Sequence, residues 1–370
     1  MTQSLPLRQR SAAGLVCLLL LAAGVACTRE PAPAGQDSEA GATPVGASVP
    51  AGPKLFVTNE VGGDITVIDL GSRTVIATIP VGKRPRGIAV SPDGLFVYVA
   101  LSGTPIGGPN VDEDTLPPAD AKADGIGVVS VKDLRLERVI PGGSDPEVVA
   151  VSLDGTRLFV ANEDVGLASA IDARDGRVLG TVSVGGEPEG VNMRPDGREV
   201  YVTSEEDNQV TAIDTASLKA VATIEVGPRP RSTAFLPDSS RAYVPAENAG
   251  TISVIDTAAH RVIHTIMLKG EELVRPMGTA VSPDGTRLFA TTGRGRHVVI
   301  VDTATNEQIG SVEVGQRPWG IAVSPDGRTV YTANGPSNDV SIVDVERRTV
   351  TATVQAGDRP WGIAYVPAVN

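Results

Sequence analysis

The chain has 370 residues and a formal net charge of −12. Hydrophobic residues make up 41% and charged ones 21%, which excludes an acidic disordered chain. Two cysteines cannot staple a disulfide scaffold, and the negative balance argues against sequence-independent binding to duplex nucleic acid or an anionic bilayer.

The first element is an export signal. Arg8 and Arg10 precede an uncharged apolar run from Ser11 to Ala26. That run is short for a membrane span but suits a signal-peptide core. It ends Gly24-Val25-Ala26-Cys27, which resembles a bacterial lipobox, so Cys27 is the expected lipidation site. Ordinary signal cleavage nearby is the alternative. With residues 1–26 removed, the charge becomes 30 − 44 = −14. Residues 27–53 are rich in Pro, Ala and Gly and read as a flexible tether. Thr28 stands where Asp would retain the protein at the inner membrane, so an outer-membrane anchor is expected. The lipid is then the sole membrane contact.

From residue 54 onward the sequence repeats. LFVTN (55–59), VYVAL (97–101), LFVAN (158–162), VYVTS (200–204), AYVPA (242–246), LFATT (288–292) and VYTAN (330–334) are alike. Their starts lie 42, 61, 42, 42, 46 and 42 residues apart, a period of 42 with inserts near 104–123 and 270–274. Such a period signals a repeat architecture. Only 12 residues are aromatic, and seven fill the second position of this segment: Phe56, Tyr98, Phe159, Tyr201, Tyr243, Phe289 and Tyr331. Their expected role is packing between repeats.

Each repeat holds four short β-branched runs separated by turns such as SPDG (91–94, 282–285, 324–327). No 3.6-residue apolar period intervenes, which excludes a TIM barrel or helical solenoid. The expected fold is all-β: a seven-bladed β-propeller over 54–370 with four-stranded antiparallel blades. The chain begins in the second strand of a blade and ends in Trp361-Gly362-Ile363-Ala364, an innermost-strand sequence. Residues 363–366 should therefore pair beside 55–59 and close the ring.

With strands labelled A to D outward, the A–B and C–D turns share one face. The B–C and D–A loops share the other, as do both inserts. Variable loops on a rigid scaffold are where sites usually lie. The D–A loops surround the channel mouth. Before the loop proline come Arg84, Asp145, Glu187, Arg229, Arg275, Arg317 and Arg359. After it come Arg86, Glu147, Glu189, Arg231, Met277, Trp319 and Trp361. Acid gathers at blades 3 and 4, and both indoles fall on blades made adjacent by closure. An arginine-rich rim with neighbouring indoles suits a flat or anionic ligand or a partner's acidic patch. Two structural readings compete: the arginines pair with Glu60, Glu163, Glu205 or Glu247, and the tryptophans plug the channel.

Other chemistry is sparse. His260, His264 and His297 are not expected to converge, so no metal centre is expected. The insert carries Asp112, Glu113, Asp114, Asp120 and Asp124, but no EF-hand spacing. The recurring Asp69, Asp172, Asp214, Asp256, Asp302 and Asp344 suit turn capping. No G-x-S-x-G, H-E-x-x-H or P-loop occurs.

The repeats resemble the YVTN-repeat β-propeller proteins, through FVTN (56–59), FVAN (159–162) and YVTS (201–204). SDPE (144–147), GEPEG (186–190), RPR (229–231), ANGPSNDVSIVDVE (333–346) and RPWG (359–362) resemble the PQQ-dependent catabolism-associated propellers. That resemblance implies an exported propeller associated with periplasmic quinoprotein oxidation and without an activity of its own. The resulting expectation is a monomeric, envelope-tethered, non-enzymatic propeller without a cofactor. It would bind an envelope protein or a small anionic or aromatic ligand. A lactonase-like enzyme is the second reading and a nucleic-acid-binding propeller the third.

Overall fold

The computed structural model describes residues 49–107, 115–270 and 274–368. The proposed leader, Cys27, the tether up to residue 48, Asp112 to Asp114, and residues 271–273 of the second insert lie outside these residues.

The described chain forms seven four-stranded antiparallel sheets. Blade 1 contains β1 (Lys54–Asn59), β2 (Asp64–Asp69) and β3 (Thr74–Pro80), and it is completed from the inside by β28 (Pro360–Val366). Leu55 pairs with Tyr365, Phe56 with Ala364 and Val57 with Ile363. The ring closes as the repeat phase predicts, which leaves no blade missing a strand.

The seven repeated rings are all buried, from 0% exposed at Phe56, Tyr201, Tyr243 and Phe289 to 6% at Tyr331. Each joins a hydrophobic cluster that crosses to the next blade. Phe56 packs with Val97 and Val99 of blade 2. Tyr331 packs with Leu55 and Val57 of blade 1. Seven such clusters account for the core. Burying an aromatic ring of this kind contributes roughly 1.5–3 kcal/mol.

The opposite face is built from turns. In the SPDG turns, Ser91 Oγ donates to Asp93 and Phe96 N–H donates to Ser91 Oγ. The recurring strand-end aspartates accept backbone N–H groups, as Asp69 does from Ser72 and Asp344 from Arg347. The turn-capping expectation holds for these.

One irregularity positions the site. In blades 1, 2, 3, 4 and 7 the innermost strand is bulged just after its proline, as between Pro85 and Ile88 against Leu101 and Val99. A bulge inserts one residue and re-aims a side chain. Here Arg86, Glu147, Glu189, Trp319 and Trp361 sit at the bulge. Glycine follows four of these residues because the neighbouring blade crowds it: a Cβ on Gly87 would lie 2.5 Å from Val148 Cα. Thr58 supports the bulges, accepting from Gly362 N–H at 2.8 Å and donating to Arg86 O at 2.8 Å.

Candidate functional site

The D–A and B–C loops enclose a cavity of about 1070 Å3 at the channel mouth, lined from every blade. Among the D–A residues, Arg84, Asp145, Glu187, Arg229, Arg275, Arg317 and Arg359 all reach it, as do Arg86, Glu189, Arg231, Trp319 and Trp361. Glu147 does not: it is fully buried behind the lining. Met277 is likewise buried. His260 pairs with Glu199 at 3.1 Å, and His297 begins a strand.

Six of the seven pre-proline residues take a left-handed backbone. Their φ angles are 39° at Arg84, 45° at Asp145, 47° at Glu187, 60° at Arg229, 48° at Arg317 and 58° at Arg359. A residue before proline normally avoids the helical regions, and a left-handed residue other than glycine costs about 1–2 kcal/mol. Glycine would relieve that strain but would remove the side chain from the cavity.

The B–C loops divide these charges into two arcs. A glutamate opens that loop in blades 1, 3, 4 and 5, whereas glycine occupies the place in blades 6 and 7 (Gly293 and Gly335). Each pre-proline arginine that follows a glutamate blade is paired. Arg84 lies 3.5 Å from Glu60, Arg229 lies 2.6 Å from Glu205 and Arg275 lies 3.8 Å from Glu247. Arg317 and Arg359 follow the glycine blades and form no ion pair among the described residues. The pairing reading thus holds for the first three arginines and fails for these two.

On the acidic side, Arg231 is 9% exposed and contacts three carboxylates. Glu189 lies at 3.2 Å, Glu247 at 2.7 Å, and Glu205 is in direct contact. Burial would lower Arg231, but Glu189, Glu205 and Glu247 outweigh it and hold the guanidinium firmly charged. Burial, reinforced by the Glu189 charge, pushes Glu205 up to about 8. Burial opposes ionisation of Glu189 too, but Arg231, Arg86 and the Glu205 hydroxyl together hold it below the usual carboxylate range. Burial and the neighbouring charges therefore push the proton affinities of Glu205 and Glu189 in opposite directions. Glu163 resembles Glu205: burial, with Glu189 and Asp145 nearby, lifts it to about 8 against the pull of Arg86.

On the opposite side the cations are unmatched. Burial lowers the pKa of Arg317, and Arg294, Arg231 and Arg359 lower it further against Glu247. Trp319 and Trp361 stack with centroids 5.5 Å apart and planes at 25°. Arg231 and Arg317 lie over Trp319 at 5.3 and 5.1 Å, and Arg86 lies over Trp361 at 5.2 Å. The indoles form one wall and line the cavity rather than filling it. The sequence reading missed Arg294, whose signal was a basic GRGR run where other blades place an acid.

Asp145, Glu147 and Glu163 bring carboxylate oxygens within 4.8 Å of one another. The sequence reading named Asp145 and Glu147 but did not group them with Glu163.

The fold and this site define a seven-bladed β-propeller with a polar, charge-divided channel mouth. Two family models match parts of the chain: Choice-of-anchor I domain over residues 57–229, and Lactonase, 7-bladed beta-propeller, over 212–356. No curated protein matches it. Solved structures agree on the fold. A putative 6-phosphogluconolactonase from Bacteroides uniformis is 17% identical, covers 86% of this chain and 100% of its own, and has a TM-score of 0.68. Its namesake from Bacteroides fragilis is 18% identical, with coverages of 85% and 98% and a TM-score of 0.68. Kuenenia stuttgartiensis hydrazine synthase is 19% identical, with coverages of 77% and 96% and a TM-score of 0.64. The expectation of a non-enzymatic binding propeller is corrected by the Lactonase match, which favours the second reading. The sequence reading placed the lactonase-like enzyme second, since none of the catalytic motifs it sought occurs.

Proposed function

We propose that the protein is a lactonase-like hydrolase acting at the channel mouth. The carrying observation is the Lactonase match over 212–356, a span that supplies Arg229, Arg231, Arg317 and Trp319 to the cavity. The substrate class is a small lactone bearing a negatively charged substituent. Arg317 and Arg359 hold that substituent, and the ring lies along the Trp319–Trp361 wall.

Two carboxyl groups with divergent proton affinities suit acid–base chemistry. Ionised Glu189 takes a proton from the attacking water. Protonated Glu205 gives its proton to the ring oxygen as the acyl–oxygen bond breaks. The hydrogen bond between the two glutamates then returns the proton to Glu205. The net reaction consumes one water and yields the hydroxy acid. Arg231 fixes both carboxyl groups and supplies no proton.

The test is hydrolysis of δ-gluconolactone and its 6-phosphate, followed by acid release. Turnover above the buffer rate that is abolished by Glu189→Gln supports the reading; buffer-rate hydrolysis of every lactone tried removes it. The finer kinship, to YVTN-repeat propellers of the PQQ-dependent catabolism-associated kind, is carried by SDPE, GEPEG and RPWG. Export and lipidation at Cys27 are part of the same proposal. Incorporation of labelled palmitate that disappears in Cys27→Ser would support them.

A further inference from the structure

We propose that the blade 2 insert builds an apolar subsite into the channel-mouth cavity, and that this subsite holds an alkyl chain carried by the lactone. The inference rests on the hydrolase reading for the lactone ring. It narrows the substrate class to an amphiphile, anionic at one end and aliphatic at the other. Thr104 to Gly107, Leu116, Pro117 and Ala119 of the insert line the cavity. Where the other B–C loops reach it, they bring only acid, arginine, glycine or proline. Ile106 and Leu116 are the only leucine, isoleucine or valine side chains in the lining. Both are half-buried, and neither belongs to any of the seven clusters that form the core. Packing between blades therefore does not account for them.

The base of the insert is fastened, which holds these side chains at the mouth. Arg84 Nη1 donates to Thr104 O at 2.5 Å, and the Thr104 N–H donates to Ser102 Oγ at 3.1 Å. Where the two legs of the insert meet, the Gly103 N–H donates to Asp124 at 2.7 Å and the Asp120 N–H donates to Gly103 O at 3.0 Å. A Cβ on Gly103 would lie 1.9 Å from Asp120 O, so only glycine allows this approach. Lys83 pairs with Asp120 at 2.7 Å. Asp120 and Asp124 thus serve the anchorage of the insert, and its aliphatic residues are what it presents to the cavity.

Size and position favour a chain. The cavity, at about 1070 Å3, exceeds the roughly 300–1,000 Å3 of sites for drug-sized ligands. A sugar-sized lactone with one charged group leaves much of it to water. Blade 1, which carries Trp361, lies between blades 7 and 2 in the closed ring. An anion held by Arg317 and Arg359 can therefore extend its chain past Trp361 to Ile106 and Leu116. Each methylene moved from water onto such a surface is worth up to about fourfold in affinity.

The experiment follows the intrinsic fluorescence of Trp319 and Trp361, the only tryptophans of the chain, during titration with butyrate, hexanoate and octanoate. Affinity should rise with chain length, by at least ~10-fold from butyrate to octanoate. In the double variant Ile106→Ser, Leu116→Ser, octanoate should bind at least ~5-fold more weakly than in wild type, and butyrate equally well. Circular dichroism checks the fold of the variant, and Leu116→Ala alone replaces it should the double variant not fold. Affinity that is independent of chain length overturns the proposal, as does the absence of binding by all three acids at millimolar concentration. A chain-length gain that survives in the folded variant overturns it equally. Hydrolysis is read separately. A gain that the variant loses supports the subsite even where no lactone is opened, whereas lactone opening without a gain removes the subsite and leaves the hydrolase.

Discussion

The channel mouth has two unlike halves. Across blades 3 to 5 nearly every charge is buried and matched: Arg231 lies among Glu189, Glu205 and Glu247, and Arg229 pairs with Glu205 at 2.6 Å. Across blades 7 and 1, Arg317 and Arg359 stand beside stacked indoles without an ion pair among the described residues. One repeat position explains the difference. Where the preceding blade opens its B–C loop with glutamate, the arginine is structural. Where it opens with glycine, the arginine has no ion pair among the described residues, and the proposed function gives it to the ligand. The acidic half drives the proton affinities of its carboxyl groups apart, whereas the cationic half leaves two guanidinium groups without an ion pair among the described residues.

Removing the base should have the largest effect. Positioned acid–base groups typically contribute about 10²- to 10⁴-fold. Glu189→Gln should reduce kcat/KM for a lactone by at least ~100-fold. A variant that retains wild-type turnover would put the chemistry elsewhere.

Next is stability, where the two halves should diverge. Arg231→Ala leaves buried carboxylates unpaired, at a cost of about 3–5 kcal/mol. Arg317→Ala breaks no ion pair and should unfold within ~0.5 kcal/mol of wild type. Equal destabilisation in urea would erase the distinction. In binding the order reverses: Arg317→Ala should raise KM for an anionic lactone about 10-fold, the size of one lost charged hydrogen bond, and leave a neutral lactone nearly unaffected.

A smaller effect is expected with pH. Glu205 holds its proton up to about 8 when folded, through burial and the Glu189 charge. Unfolded, a glutamate releases it near pH ~4.3. The folded state therefore binds more protons across this window, and stability falls as pH rises through it. Glu163 acts with the same sign. Glu205→Gln should flatten part of that decline in urea midpoints taken from pH 5 to 8; an unaltered slope contradicts the shared proton.

The smallest effect concerns the backbone. Arg359 sits at φ 58° before proline. Arg359→Gly should be about 1 kcal/mol more stable than Arg359→Ala, since only glycine takes this conformation without strain. Equal thermal midpoints for the two variants would argue against a strained Arg359.

Much of this was legible beforehand, and the reasons lie in particular residues. Ring closure followed from the phase of the repeat, because an innermost strand at 361–364 has one open partner, at 55–59. The inter-blade rings were visible because seven of the 12 aromatics share one position. The D–A loop residues were found because proline marks them. The depth of Glu147 was not legible: a bulge aims it, and periodicity is silent on which residue bulges. Nor was the acid–base pair, since Glu189 and Glu205 are ordinary glutamates until burial and Arg231 separate their proton affinities. Arg294 was missed because it breaks the repeat rather than following it.

The most direct test of the central claim is a pH-stat record of δ-gluconolactone 6-phosphate hydrolysis at neutral pH, for wild type, Glu189→Gln and Arg317→Ala. The account predicts one proton per lactone opened by the wild type, near-complete loss in Glu189→Gln, and retained turnover with raised KM in Arg317→Ala. Hydrolysis no faster than buffer with the wild type, or turnover indifferent to Glu189, would contradict it.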